Sequence, residues 1–213
     1  QNLVDIANQA YTNSQVNAQI RLVRTLAVNY PDATDNSSTL SALTGNTASG
    51  SDPAFSALRA ARDQYGADLV SLVRRFRAPE NSGCGIAWLI GGGQSSFTTA
   101  AAPYGYSVVS DDLDMGDIDE SDRKNYVCRK ETLAHEAGHN MGQAHNTEDS
   151  ERPGVHAYSY GYRESSTTGF YTVMAYRLAA SSQRSIRYFS NPNVVDPVTG
   201  RPTGVLNVSD NAR

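Results

Sequence analysis

Three histidines and a glutamate stand within eleven residues, in the stretch HEAGHNMGQAH that runs over residues 135–145. Leu133, Ala134, Ala137 and Met141 predict a helix over about 129–141. On that helix His135 and His139 lie one turn apart on the same face. Two neutral imidazoles so placed can bind one zinc ion. Glu136 then sits beside the metal rather than on it, where a carboxylate can take a proton from a zinc-bound water. Gly142 comes three residues after the second histidine, and glycine readily adopts the left-handed conformation that ends a helix in a sharp turn. The chain can then return with His145 as a third ligand. Three protein ligands with a fourth position left open are the arrangement of a catalytic zinc, not of a structural one. The alternative is a set of ordinary core or surface histidines, but the full HExxHxxGxxH pattern is far more specific than HExxH alone. His156, the one histidine outside the motif, reads as a loop residue.

The elements that must position these groups follow from the rest of the pattern. Leu3, Ile6, Ala7, Ala10 and Val16 predict a helix over 3–18. Ile20, Leu22, Leu26 and Val28 suggest a strand that ends before the turn signal Tyr30-Pro31-Asp32. Residues 32–51 are rich in Ser, Thr, Asn and Gly and read as a surface loop. Asp52 and Pro53 open a helix as cap and first residue, with Phe55, Leu58, Ala61 and Tyr65 as its apolar face and Gly66 as its end. Residues 69–73, 86–90 and 106–109 are strand candidates. Helices alternating with strands give an α/β (α+β) class with a twisted mixed sheet. After His145 the pattern fades into loops, so we expect an upper subdomain over 1–142 and a small irregular lower subdomain over 143–213, within one catalytic domain.

Composition narrows the function. A net charge of −4 argues against a nucleic-acid binder. No apolar run approaches a membrane-spanning length, no signal peptide is visible, and a monomer is expected. The two cysteines, Cys84 and Cys128, lie far apart, which leaves one disulfide or two buried thiols. The disulfide fits an exported protein. Its closure would tie the start of a strand to the start of the histidine helix. Gly91, Gly92 and Gly93 read as a flexible loop, because no Lys-Ser/Thr follows them as in a phosphate cradle.

HEAGHNMGQAH together with TVMAY at 172–176 resembles the metzincin zinc endopeptidases. CGIAWL at 84–89, CRKETLAHEAGHNMG at 128–142 and YFSNPNV at 188–194 narrow the resemblance to bacterial reprolysin-like proteases, including peptidyl-Asp metalloendopeptidases. The likeness spans most of the chain and is strongest in the histidine half. It implies a metzincin-type fold, one zinc held by His135, His139 and His145, and Glu136 as general base. It makes Met174 an apolar floor beneath the histidines. It sets Tyr176 where some branches stabilise the oxyanion, although animal reprolysins usually carry proline there. Gly85, Ile86, Ala87 and Trp88 would form the edge strand on which an extended substrate pairs. The chain begins inside the family's first helix and stops near the start of its closing helix, so it reads as a trimmed form of a longer polypeptide.

The same resemblance walls the main specificity pocket with the segment after Met174, which holds Arg177, Arg184 and Arg187. A guanidinium there would bind a substrate carboxylate through two hydrogen bonds and favour cleavage on the amino side of Asp. Solvated loop charges are the plainer reading of each. Asp111, Asp112, Asp114, Asp117, Asp119, Glu120 and Asp122 supply oxygen donors for calcium, but the spacing fails the EF-hand pattern and a solvated acidic loop is favoured. The overall expectation is a secreted zinc endopeptidase acting on proteins or peptides. A non-catalytic zinc-holding module and a cell-wall peptide amidase are the alternatives.

Overall fold

The structure is a computed structural model that describes residues 1–45, 51–111 and 128–213. Its centre is a three-stranded sheet in the order β1-β3-β2. Strand β1 (Val70–Arg75) runs parallel to β3 (Tyr106–Asp111), and β2 (Gly85–Ala87) pairs antiparallel on the other side of β3. The pleat sends alternate side chains to opposite faces, and β3 exploits this. Val108 joins Leu40, Leu43, Phe55 and Leu72 in one core. Its neighbour Val109 joins Val4 and Leu133 in another. The sheet is thereby covered on both faces at β3, and the mixed α/β class expected from the sequence is the one observed.

The first face is closed by α2 (Asn36–Thr44) and α3 (Ser56–Tyr65) with the short turn of helix at Pro53–Phe55. The second is closed by α1 (Asn2–Asn13) and α4 (Thr132–Asn140). Ala7, Ala10 and Tyr11 of α1 pack with Ala134 of α4 and with Val173, Met174 and Phe189. Small alanines at the helix contact let the two backbones approach, and Tyr11 stacks flat on Phe189 with ring centroids 4.9 Å apart. Beyond α4 the strands are short: β4 (Ala144–Asn146) with β5 (Tyr160–Gly161), and β6 (Phe170–Tyr171) with β7 (Arg184–Ser185).

Several expectations need correction. The loop expected over 32–51 contains α2, whose Asp35 side chain accepts from the Ser38 N–H and whose chain leaves through Gly45 at φ +80°. The strand expected over 20–28 does not form. The Asn8 side chain holds both the N–H and the carbonyl of Ile20, while Val28 and Tyr30 pack onto the first core. The alternation there records packing at intervals, with no ladder partner among the described residues. Strand β1 is covered on one side only, since Val73 stays about half exposed. The first helix ends at Asn13, short of 18. Tyr65, expected on an apolar helix face, is exposed. The acidic run over 112–122 lies outside the described residues. No helix among the described residues is long and apolar enough to cross a membrane.

Cys84 and Cys128 form a disulfide across 44 positions of sequence. It joins the residue before β2 to the segment leading into α4. Replacing both cysteines with serine releases a long loop in the unfolded chain and removes about 3–4 kcal/mol in the chain-entropy account. The denaturation midpoint of the double variant should fall accordingly; an unchanged midpoint would show that other contacts already constrain this segment.

Candidate metal centre

Helix α4 delivers two of the three imidazoles, and its C-terminus delivers the third. After Met141 the chain turns at Gly142, φ +83°. There the Gly142 N–H donates to the His139 carbonyl and the Gln143 N–H to the Gly138 carbonyl, at 2.9 Å each. This paired pattern is the Schellman motif, and it needs a residue that tolerates a left-handed backbone. A side chain at Gly142 would also strike Val155 at 2.8 Å. The reversal feeds β4, which carries His145 back over the helix.

The ring nitrogens converge. The Nε2 atoms of His135, His139 and His145 lie 3.0 to 3.2 Å apart. Their far sides fix the tautomers of the first two. His135 Nδ1 is 2.7 Å from the Val173 carbonyl and His139 Nδ1 is 2.8 Å from the Gln143 carbonyl. A carbonyl only accepts, so both Nδ1 atoms carry the proton and both Nε2 atoms turn bare lone pairs toward each other. Two such lone pairs at 3.2 Å repel unless a cation lies among them. The residues therefore fit a single metal ion, and the three histidines are placed to bind one.

Protonation does not relieve that repulsion at neutral pH. Burial, with repulsion from the other two histidines behind it, holds His135 well below its usual range. Burial and then His145 push His139 down to about 4. Burial lowers His145 to about 4 against the pull of Asp149. All three rings stay neutral, as metal ligands must.

Below the rings, Met174 is fully buried. Its sulfur lies against Gly138, where an added Cβ would come within 2.3 Å of it. Glu136 packs against the start of the edge strand: a Cβ on Gly85 would stand 2.4 Å from Glu136 Oε1. Its Oε2 is buried without a hydrogen-bond partner among the described residues. Burial raises its pKa to about 8. The edge of β2 away from β3 carries no strand among the described residues.

Tyr176 turns its hydroxyl to 2.9 Å from His145 Nε2, although the residue as a whole stays 46% exposed. Burial of the phenol, then the charges of Glu136 and Asp149, raises its pKa to about 12. Its backbone is clamped on both sides. The N–H donates to Asn146 Oδ1 at 3.0 Å, and the carbonyl accepts from Arg163, which is itself paired with Asp149. Asn146 closes the ring by donating to Glu148 and Asp149. The sequence reading missed Asn146, although it directly follows the third histidine. Of the three candidate pocket arginines, Arg184 pairs with Asp196 and Arg187 with Glu131, so both charges are already met. Arg177 is exposed, and His156 is an exposed loop residue stacked on Tyr158.

Comparison with known proteins agrees with this geometry. Residues 1–209 match the model of the M12B reprolysin-like metallopeptidase family. The chain is 32% identical over 211 residues to a peptidyl-Asp metalloendopeptidase of Pseudomonas aeruginosa PAO1, covering 91% of this chain and 30% of that protein. It is 30% identical over 219 residues to a peptidyl-Asp metalloendopeptidase of Stenotrophomonas maltophilia K279a, covering 100% of this chain and 45% of that protein. The chain thus spans less than half the length of these relatives. A solved structure described as a chaperone–substrate complex shares the fold at a TM-score of 0.65 and 20% identity, covering 99% of this chain and 28% of that one. With the family model matched along nearly its whole length, the chain belongs to the M12B reprolysin-like metallopeptidases.

Proposed function

We propose that this protein is a secreted, zinc-dependent endopeptidase that cuts proteins or peptides, with a preference for bonds on the amino side of Asp. The observation that carries the reading is the convergence of three neutral imidazole nitrogens beside a carboxylate whose buried Oε2 has no partner among the described residues. The family implies zinc, and the names of the relatives, peptidyl-Asp metalloendopeptidases, support the substrate class. Held by His135, His139 and His145, zinc would polarise the scissile carbonyl and make water a better nucleophile.

The chain's own residues do the rest. The substrate lies along the free edge of β2, where Gly85, Ile86, Ala87 and Trp88 offer main-chain groups to an extended peptide. Glu136 takes a proton from the attacking water and returns it to the leaving amine. Its Oε2, buried with no partner among the described residues, is left to receive that proton. Tyr176 donates a hydrogen bond from its hydroxyl to the developing oxyanion and keeps its proton, being too weak an acid to ionise at neutral pH. The non-catalytic alternative gives no reason to bury Glu136 without a partner, which costs stability. The disulfide is consistent with an oxidising, extracellular setting.

The direct test is cleavage of a proteome-derived peptide library by the zinc-loaded protein. Glu136→Gln should cut about 10²–10⁴-fold more slowly, and Tyr176→Phe should lose about 10²-fold in kcat with little change in KM. Equal cutting by parent and Glu136→Gln would sink the assignment of the base.

Proton linkage offers a second check that needs no turnover. In protein stripped by a chelator, His139 and His145 titrate near 4 when folded but at about 6.5 when unfolded. Their contribution is full above pH 6.5 and fades as pH falls toward 4. Glu136 behaves oppositely: it titrates near 8 when folded and at 4.5 in its ordinary state, so it stabilises in acid and weakens the fold as pH rises through 8. Glu136→Gln keeps the histidine limb and lacks the other. The melting temperature of the chelated variant should therefore gain on that of the chelated parent as pH rises from 5 to 8. A constant difference would mean that Glu136 is not held neutral.

A further inference from the structure

An acidic preference needs a cation in the cleft, and the candidates named from the sequence are poorly suited to supply it. Arg184 and Arg187 are occupied by Asp196 and Glu131. Arg163 is held by Asp149, and Arg201 by Glu164. Arg177 has no carboxylate partner among the described residues but is exposed; a second arginine close to the histidines also has none and is held in place. Arg129 precedes α4 by three positions and is half-buried. Its guanidinium lies 4.9 Å over the ring of Tyr171, and one of its N–H groups donates to Ser185 Oγ at 2.7 Å. Tyr171 and Ser185 are register partners in the β6–β7 pair. That pair flanks the Met174 segment, with Tyr171 before it and Ser185 after it. A guanidinium carries five N–H donors in a planar fork, and among the described residues only the contact to Ser185 engages it by hydrogen bond.

The charge reaches the centre. Arg129 acts electrostatically on both His135 and Tyr176. Its backbone is also fixed to the opposite wall of the cleft. Arg129 follows Cys128, whose disulfide partner Cys84 precedes Gly85, the residue that covers Glu136. The Arg129 carbonyl accepts from both the N–H and the hydroxyl of Thr132. The cation and the edge strand thus hang from one covalent link, which sets the distance between a bound peptide's main chain and a side chain reaching toward Arg129.

We infer that Arg129, rather than Arg177, Arg184 or Arg187, is the specificity-determining residue that binds the carboxylate of the substrate side chain just after the scissile bond. Stacking on Tyr171 and the bond to Ser185 leave the rest of the guanidinium fork for two parallel hydrogen bonds to that carboxylate. The contact is neutral in shape, since Asn is nearly isosteric with Asp, so discrimination rests on charge. This inference rests on the endopeptidase reading above.

The test uses the full, zinc-loaded chain and three quenched-fluorescence peptides that differ only in the residue after the cut: Asp, Asn or Ala. The parent should favour Asp over Asn. Arg129→Gln should lower kcat/KM about 100-fold more for the Asp peptide than for the Asn peptide. Arg129→Lys, which keeps the charge but loses the fork, should retain a reduced preference, and it serves if the glutamine variant binds no zinc. Arg177→Gln should keep the parent's Asp-to-Asn ratio. A ratio unmoved by Arg129→Gln, or abolished by Arg177→Gln, overturns the inference. A parent that cuts all three peptides equally overturns it while leaving the endopeptidase reading intact. A zinc-loaded parent that cuts none of these peptides and nothing in the library overturns that reading, and this inference with it.

Discussion

The rest of the structure depends on one unfavourable arrangement: the Nε2 lone pairs of His135 and His139 held face to face at 3.2 Å. Left to themselves, two imidazoles would swing apart or one would take a proton. The Val173 and Gln143 carbonyls prevent the first by fixing each ring through its Nδ1–H. Burial prevents the second by making a charged ring expensive. The carbonyls come from two different segments, the turn that holds Met174 and the reversal after α4. Holding the pair therefore requires the helix, its Schellman end and the Met174 turn to be locked together.

That requirement shows in the close packing under α4. Gly138 sits between the two histidines on the helix, and the Met174 sulfur occupies the space its side chain would take. A polarizable, unbranched thioether can fill so irregular a gap. Val173 lies beside it in the same core, and its carbonyl is the one that His135 holds. The first helix braces this unit from behind through Ala7, Ala10 and Tyr11. The pattern repeats on the cleft side, where the bare backbone at Gly85 leaves room for the Glu136 carboxylate. At both places a glycine faces a buried side chain because backbone and side chain must nearly touch.

The sequence made the centre legible because its determinants are local. His135, His139, Gly142 and His145 fall within one helix and one turn, so spacing alone predicts which groups meet. Met174 is distant in sequence and was placed by its resemblance to a known turn. Elements whose existence depends on distant partners were harder to read. Strand character over 20–28 looked plausible by alternation, yet a strand exists only where another edge accepts it, and Ile20 is instead held by the Asn8 side chain. Helix α2 was hidden by Ser, Thr and Asn, which favour loops when exposed, although Asp35 and Gly45 bracket it with cap and stop. The arginines are hard to read for a similar reason. Position after Met174 draws attention to Arg177, Arg184 and Arg187, but Asp196 pairs with Arg184 and Glu131 with Arg187, and sequence does not reveal the places of those partners.

The disulfide and the unpartnered carboxylate bear on each other. A buried Glu136 Oε2 without a hydrogen-bond partner among the described residues destabilises the fold, and Glu136 packs where Gly85 comes into contact with α4. Cys84 and Cys128 flank that contact, one beside Gly85 and the other just ahead of α4. Without the bond, β2 keeps its three-residue pairing with β3, the Ser110 to Cys84 hydrogen bond and the packing of Ile86 on the first core, but the residue before Gly85 loses its tie to the segment that leads into α4. The covalent link thus fixes the wall that packs against Glu136 as well as stabilising the chain, because Gly85 and α4 meet at that carboxylate.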